Sequence, residues 1–269
     1  MQRLLKSPTS LLAKIVSPGF GFMLLGLTYL PIFLVITFSF NDSRVATFPL
    51  SGFTLKWYLL LLQNESILVA FRNTLLIGIS AVVGAAAVGV SAAILLHHYK
   101  FNGASLFQIT ILLPFLLPGI FTGLALLLLF TSLRVPKSLF TVFIGHTVFC
   151  SAVVFKTVQS RLMVIKKNLE EASYDLGANA FQTFIYITLP NIRTALISGC
   201  LMAFVLSFDE TLITFFLIGP QLTLPLKIWA MMRGSFNPQV HALAALVFFT
   251  STLLVLIFSN YILGREART

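Results

Sequence analysis

The sequence predicts an all-α protein that crosses a membrane several times. Three observations carry that expectation. The composition is 58% hydrophobic and 10% charged, whereas a soluble domain runs near 45–50% apolar and about 25% charged. Six long stretches are almost free of charge, and the polar material between them is concentrated in residues 159–194. Twenty-seven Phe stand against eight Asp+Glu, too few ionised groups to cover a water-facing surface, and the mean hydropathy is +0.96. A soluble enzyme is thereby excluded. The formal charge of +10 reflects missing acids; the 18 Lys+Arg are scattered through apolar sequence and form no contiguous basic face for nucleic acid. Cys150 and Cys200 both lie in apolar stretches without metal or redox spacing and read as packing residues.

About 20 residues at ~1.5 Å rise cross a hydrocarbon core of roughly 30 Å, and each span is expected on that basis. Residues 1–17 form a basic N-terminal segment with Arg3, Lys6 and Lys14. The first span, Pro18–Phe40, exceeds the roughly 7–15-residue apolar region of a signal peptide and reads as a retained anchor. An external loop, 41–73, leads to the second span, Thr74–Leu96, where Ala81, Ala85, Gly89 and Ala93 recur every fourth position and invite close backbone approach. The third span, Ala104–Phe130, holds Pro114 and Pro118, which predict a bend that either lines a pathway or is a simple kink. The fourth, Leu139–Val158, contains His146, expected as a hydrogen-bonded packing residue rather than a proton relay. After the arm, 159–194, come the fifth span, Ala195–Ile218, an external loop, 219–239, the sixth span, Val240–Leu263, and a tail, 264–269.

An even number of spans places both termini on one side. Taking that side as cytoplasm puts 11 of 18 Lys+Arg inside, a modest excess in the sense of the positive-inside rule.

The arm is the most specific stretch. Asn168 to Gly177 reads as a short amphipathic helix with Leu169, Ala172 and Leu176 on one face, Glu170 and Glu171 near its start, Asp175 near its end, and Gly177 closing it. A second short helix, Ala178–Leu189, carries Phe181, Phe184, Ile185 and Thr188, and Pro190 is expected to stop it before the next span. By physics alone this pair is an interfacial helix-turn-helix resting on lipid or on the bundle.

Glu171-Ala172-Ser173, three residues, Gly177, nine residues, then Ile187-Thr188-Leu189-Pro190 resembles the EAA loop, EAA-x3-G-x9-I-x-L-P, of type I binding-protein-dependent ABC importer permeases. Ser173 stands where a third Ala is usual. The resemblance implies that Glu170, Glu171, Ala172, Ser173, Asp175, Gly177, Ile187, Leu189 and Pro190 couple the chain to a cytoplasmic ATPase, and that the loop is cytoplasmic. It extends over nearly the whole chain, with 74–263 as the permease core. Phe38–Arg44 with Gly52–Tyr58, Ser207–Glu210, and Gly219–Pro220 with Leu224–Ile228 and Asn237–Ala244 are similar to spermidine/putrescine permease subunits. The outer segments also recur in permeases for thiamine and other amine-bearing solutes, so the same architecture serving another small solute, such as thiamine, an aminophosphonate or an amino-acid-like amine, stays open.

Asp209 and Glu210 are the only carboxylates inside the six expected spans. An ionised side chain near mid-membrane costs about 2.5–3.5 kcal/mol on insertion scales, so something must offset them. Either they form a cation site on the translocation route, with Phe208 and Trp229 available for cation–π contact, or they form a structural pair with Arg233, Lys227 or a partner. A secondary transporter that loads a coupling ion on this pair, and a scaffold that only recruits a cytoplasmic partner, are the rival readings.

No G-x-x-x-x-G-K-[ST] phosphate loop occurs in the sequence. The resemblance therefore implies a transport subunit without an ATPase site or cofactor of its own. ATP and Mg would be bound by a partner ATPase dimer. A second, different permease subunit, an external or periplasmic substrate-binding protein and the lipid of a bacterial inner membrane complete the expected partners.

Overall fold

The computed structural model describes residues 9–43, 48–165, 168–234 and 238–266. Residues 1–8 of the basic segment, Arg44, Lys166, Lys167, Asn237 and Arg268 lie outside the described residues. The chain is all-α. Its helices are α1 Thr9–Ser39, α2 Lys56–Gln63, α3 Glu65–His98, α4 Ala104–Leu116, α5 Gly119–Ser132, α6 Leu139–Leu162, α7 Asn168–Asp175, α8 Ala180–Thr183, α9 Leu189–Asp209, α10 Leu212–Leu217, α11 Leu224–Gly234 and α12 Gln239–Glu266, with a π-helical turn, Phe184–Thr188, between α8 and α9. Among the described residues there is no strand, only an isolated bridge pairing Asn41 with Phe53.

The chain divides into two compact units. The first comprises residues up to Asn64 together with Met231–Phe258. Its apolar helix α1 leaves Phe22 and Phe33 exposed, as lipid-facing side chains should be. After α1 the chain ties itself into a clasp. Asn41 is buried, its side-chain oxygen accepts from the Ser51 backbone N–H and hydroxyl, and its carbonyl accepts from Trp57 Nε1 at 2.7 Å. Lys56 pairs with Asp42 at 2.5 Å and lies 4.6 Å over the Trp57 ring. The segment that resembles the permeases between Phe38 and Tyr58 is thus a structural fastening.

The second unit comprises Glu65–Ala230 and Ser259–Thr269. Helix α6 is its axis, with Val142, Val154, Phe155 and Val158 fully buried against a core that includes Ile77, Ala85, Ile192 and Ile213. The small-residue stripe on α3 does what its spacing predicts. Ala81, Ala85 and Ala93 are fully buried, and a Cβ on Gly89 would stand 2.8 Å from the Phe155 backbone nitrogen and 2.9 Å from the Ser151 carbonyl. The α3 and α6 backbones are in contact there.

Three expected elements differ in form. The stretch 41–73 is not all loop, because α2 and the first turns of α3 occupy Lys56–Gln63 and Glu65 onward. The expected single span Ala104–Phe130 is two helices, α4 and α5, bent by 108°. Pro118 has no N–H to continue α4, and Leu117 is held extended before it. The expected external loop 219–239 contains α11, tied down where Leu224 N–H donates to Thr74 Oγ1 at 2.7 Å and Asn73 Nδ2 donates to the Leu222 carbonyl at 3.0 Å.

Among the described residues four helices are long and apolar enough to cross a membrane, and the bent α4–α5 pair would make a fifth. The expected sixth span falls on α12, Gln239–Glu266, a helix of 28 residues.

Candidate functional site

The arm is built by local chemistry. Helix α7 ends as its composition predicts: Gly177 adopts φ +85°, a left-handed conformation that favours glycine, while its N–H donates to the Tyr174 carbonyl and that of Ala178 to the Ser173 carbonyl. Asn179 then caps α8 by accepting from Gln182 N–H at 2.9 Å, and Gln182 Oε1 accepts in return from Asn179 N–H. Ser173, the departure from the EAA pattern, hydrogen-bonds Thr183 at 2.9 Å and braces α7 against α8.

The second arm helix does not stop at Pro190. The chain stays helical from Ala180 to Asp209, with Pro190 in the first turn of α9. The reason is the π-helical turn. Leu189 N–H reaches back five residues to the Phe184 carbonyl, and Asn191 Nδ2 donates to the Ile187 carbonyl at 2.7 Å. A proline that follows such a turn removes little that the helix needs.

The two glutamates of the arm part company. Glu171 is exposed and Ala172 beside it is also exposed. Glu170 is buried, accepts from the Thr188 hydroxyl at 2.7 Å and pairs with His98 Nε2 at 2.5 Å. Burial pulls the Glu170 carboxyl upward, but those two hydrogen bonds and the positive charge of the His98 and His97 rings outweigh it, and it lies below its ordinary range. His98 was not foreseen, since its partner lies 72 residues away. Around this joint the arm presents apolar and aromatic side chains outward: Leu169, Tyr174, Phe181 and Leu176, the last 90% exposed.

The acid pair of the fifth span does not sit inside a continuous helix. Helix α9 ends at Asp209, Glu210 turns extended with ψ 108°, and α10 begins at Leu212. The Glu210 carboxylate accepts from the Leu212 and Ile213 N–H groups at 2.9 and 3.0 Å, satisfying the open amides of α10. Its own carbonyl accepts from Thr214 Oγ1 at 2.7 Å. The carboxylate also faces the start of α5, where a Cβ on Gly119 would stand 3.0 Å from Glu210 Oε1. The two interrupted helices therefore meet at Glu210. Asp209 remains exposed, without an ion pair among the described residues.

Helix α6 holds this break together. His146, fully buried, bonds Ser207 Oγ at 2.7 Å on α9 and Thr214 Oγ1 at 2.8 Å on α10. Thr214 spends its proton on the Glu210 carbonyl, so His146 Nε2 donates and Nδ1 accepts from Ser207. Cys150 Sγ donates to the Ala203 carbonyl at 3.3 Å and Thr141 Oγ1 to the Leu217 carbonyl at 2.8 Å, one on each side. His146 is a hydrogen-bonded packing residue, as its position predicts. The aromatic candidates are engaged with rings: Phe208 with Phe204 at 6.0 Å, and Trp229 edge-on with Phe215 at 5.7 Å.

Comparison with known proteins gives this architecture a family. The family described as binding-protein-dependent transport system inner membrane component matches residues 85–269, which include the arm and the break. The putrescine transport system permease protein PotI of Escherichia coli (strain K12) is 37% identical over 235 residues, 84% of this chain and 83% of that protein. The spermidine/putrescine transport system permease protein PotC of the same strain is 32% identical over 257 residues, 95% of this chain and 96% of that one. In fold, the chain is similar to one in a crystal structure of a bacterial ABC transporter involved in the import of the acidic polysaccharide alginate, with a TM-score of 0.72 at 18% identity, covering 99% of this chain and 100% of that chain. A second structure of such a transporter, in complex with an alginate pentasaccharide-bound periplasmic protein, matches with a TM-score of 0.70 at 16% identity over 96% of each chain. This multi-pass membrane chain belongs to the family of inner-membrane components of binding-protein-dependent transport systems.

Proposed function

We propose that this chain is the permease subunit of an ATP-driven importer that moves polyamine-like cations, of the putrescine and spermidine class, from an external binding protein into the cytoplasm by alternating access. The observation that carries the substrate is the likeness to two permeases named for putrescine and spermidine/putrescine. The exposed Asp209 carboxylate, set at a helix break beside a Glu210 already held by amides, supports a cationic cargo. Phe208 and Trp229 would line the approach.

In this reading 159–194 is a cytoplasmic coupling arm. The exposed Glu171, Ala172, Leu176 and Phe181 dock in a cleft of an ATPase dimer, while Ser173, Asp175 and Gly177 shape α7, and Ile187, Leu189 and Pro190 carry its movement into α9. ATP and Mg²⁺ are bound by that ATPase, and this chain holds no cofactor. Both termini are cytoplasmic, α12 completes six spans, and a second, different permease subunit closes the pathway.

Uptake by the reconstituted complex tests the reading. Transport of a polyamine should require the ATPase, and an ATPase unable to hydrolyse ATP should abolish it. Persistence of uptake would favour a secondary transporter loading Asp209 and Glu210, and no uptake in any combination would favour a scaffold.

A further inference from the structure

Three elements meet at the Glu170 carboxylate: the end of α3 through His98, the arm helix α7, and the π-helical turn through Thr188. Along the chain the arm is continuous with α9, whereas α3 ends some 70 residues earlier in sequence and has no covalent reason to follow the arm. His98 Nδ1 faces the Ile94 carbonyl at 3.1 Å and Nε2 faces the carboxylate. The carboxylate accepts, so Nε2 donates to it and the contact is a hydrogen bond to an ionised group. At the other oxygen, the Thr188 hydroxyl leaves Glu170 fully engaged.

We propose that Glu170 is a positioning residue for transport: with His98 and Thr188 it fastens the coupling arm to α3, so that movement imposed on the arm drives α3 and α9 together. This rests on the reading of 159–194 as the coupling arm. Its physical basis is that α3 packs backbone to backbone on α6 at Gly89, and α6 in turn spans the break between α9 and α10 through His146. A joint at the base of α3 therefore delivers the arm's displacement to the helix that braces the acid pair. Glu171, one residue on, faces outward and serves the partner instead.

The test uses the whole transporter, with its ATPase, second permease and binding protein, in proteoliposomes, measuring radiolabelled putrescine taken up per ATP hydrolysed. Glu170→Ala should lower uptake per ATP by roughly tenfold, within the usual range of coupling between sites, and His98→Ala should do the same. The double variant should be no worse than the more severe single one, because both remove one joint. In the variant carrying His98→Cys and Glu170→Cys, a short thiol-to-thiol linker should keep or restore uptake, since the two sites travel together. Wild-type stoichiometry in Glu170→Ala, additive losses in the double variant, or arrest by the linker would each overturn the joint. Should Glu170→Ala fail to assemble, the linked cysteine pair still decides: arrest overturns the joint and uptake supports it. Glu171→Lys separates the two levels. If it uncouples while Glu170→Ala does not, only the joint is wrong; if neither does, the arm reading itself is wrong.

Discussion

Two regions of this chain each carry adjacent acids, and they divide the work in the same way by different means. In the arm, Glu170 is buried and bonded to a histidine and a threonine while Glu171 is exposed. At the break between α9 and α10, Glu210 accepts two backbone amides while Asp209 is exposed. One acid of each pair belongs to the fold and its neighbour is left for a partner or a cargo. The means differ with the surroundings. Outside the apolar spans a carboxylate can draw on a side-chain cation, whereas at the break the offsetting donors are helix amides, which add no second charge to be desolvated.

Substitution can break this comparison at several depths. The largest effect is expected from Glu171→Lys, which should abolish coupled uptake, measured in proteoliposomes, with membrane insertion intact by protease mapping. Asp209→Asn comes next: the KM for putrescine should rise by about tenfold, a loss of roughly 1.4 kcal/mol, with little change in thermal stability. Glu210→Ala should do the reverse, costing about 0.5–2 kcal/mol of stability as a lost cap, read as a lower melting temperature in detergent. If Asp209→Asn destabilises and Glu210→Ala only raises KM, the assignment is inverted. Gly177→Ala should cost about 1–2 kcal/mol because φ there is positive. Ser173→Ala, which deletes the brace to Thr183, should cost about 0.5–1.5 kcal/mol and leave uptake nearly unchanged.

The smallest effect concerns pH. The Glu170 carboxyl is depressed in the folded protein, so its contribution to stability is present above the ordinary glutamate value of 4.5 and is lost as pH falls through the lower folded value. Wild type and Glu170→Gln should therefore converge in stability only in acid below that range.

Much of this was legible in the sequence wherever the determinant is local. Gly177, the Asn168–Asp175 helix, the small residues from Ala81 to Ala93 and the bend at Pro118 all follow from neighbours within a few positions, whereas Pro114, expected to share in the bend, stays inside α4. The size of the α4–α5 bend, 108°, depends on what α5 packs against and could not be read off. The break after Asp209 carries no Pro or Gly; it is held by His146 from another helix, 61 and 68 residues away from Ser207 and Thr214. The same distance in sequence hid His98. Pro190 misled because a proline's effect depends on the hydrogen-bond pattern just before it, and a π-helical turn is not evident from residue types.

That turn has a geometric consequence. An α-helix advances ~100° per residue, and the wider turn at Phe184–Thr188 absorbs an extra residue within one helical revolution. Everything upstream is thereby rotated by about that angle relative to a straight continuation of α9. Closing Phe184–Thr188 to ordinary α-helical pitch without removing a residue would swing α7 around the helix axis, whereas deleting one residue together with the bulge would leave α7 where it is. In the first case the arm is reoriented. The outward side of the arm, with Glu171 and Leu176, would then point elsewhere, even though every residue on it was unchanged. The azimuth of the arm is encoded in the hydrogen-bond pattern of Phe184–Thr188 as much as in the residues that face outward.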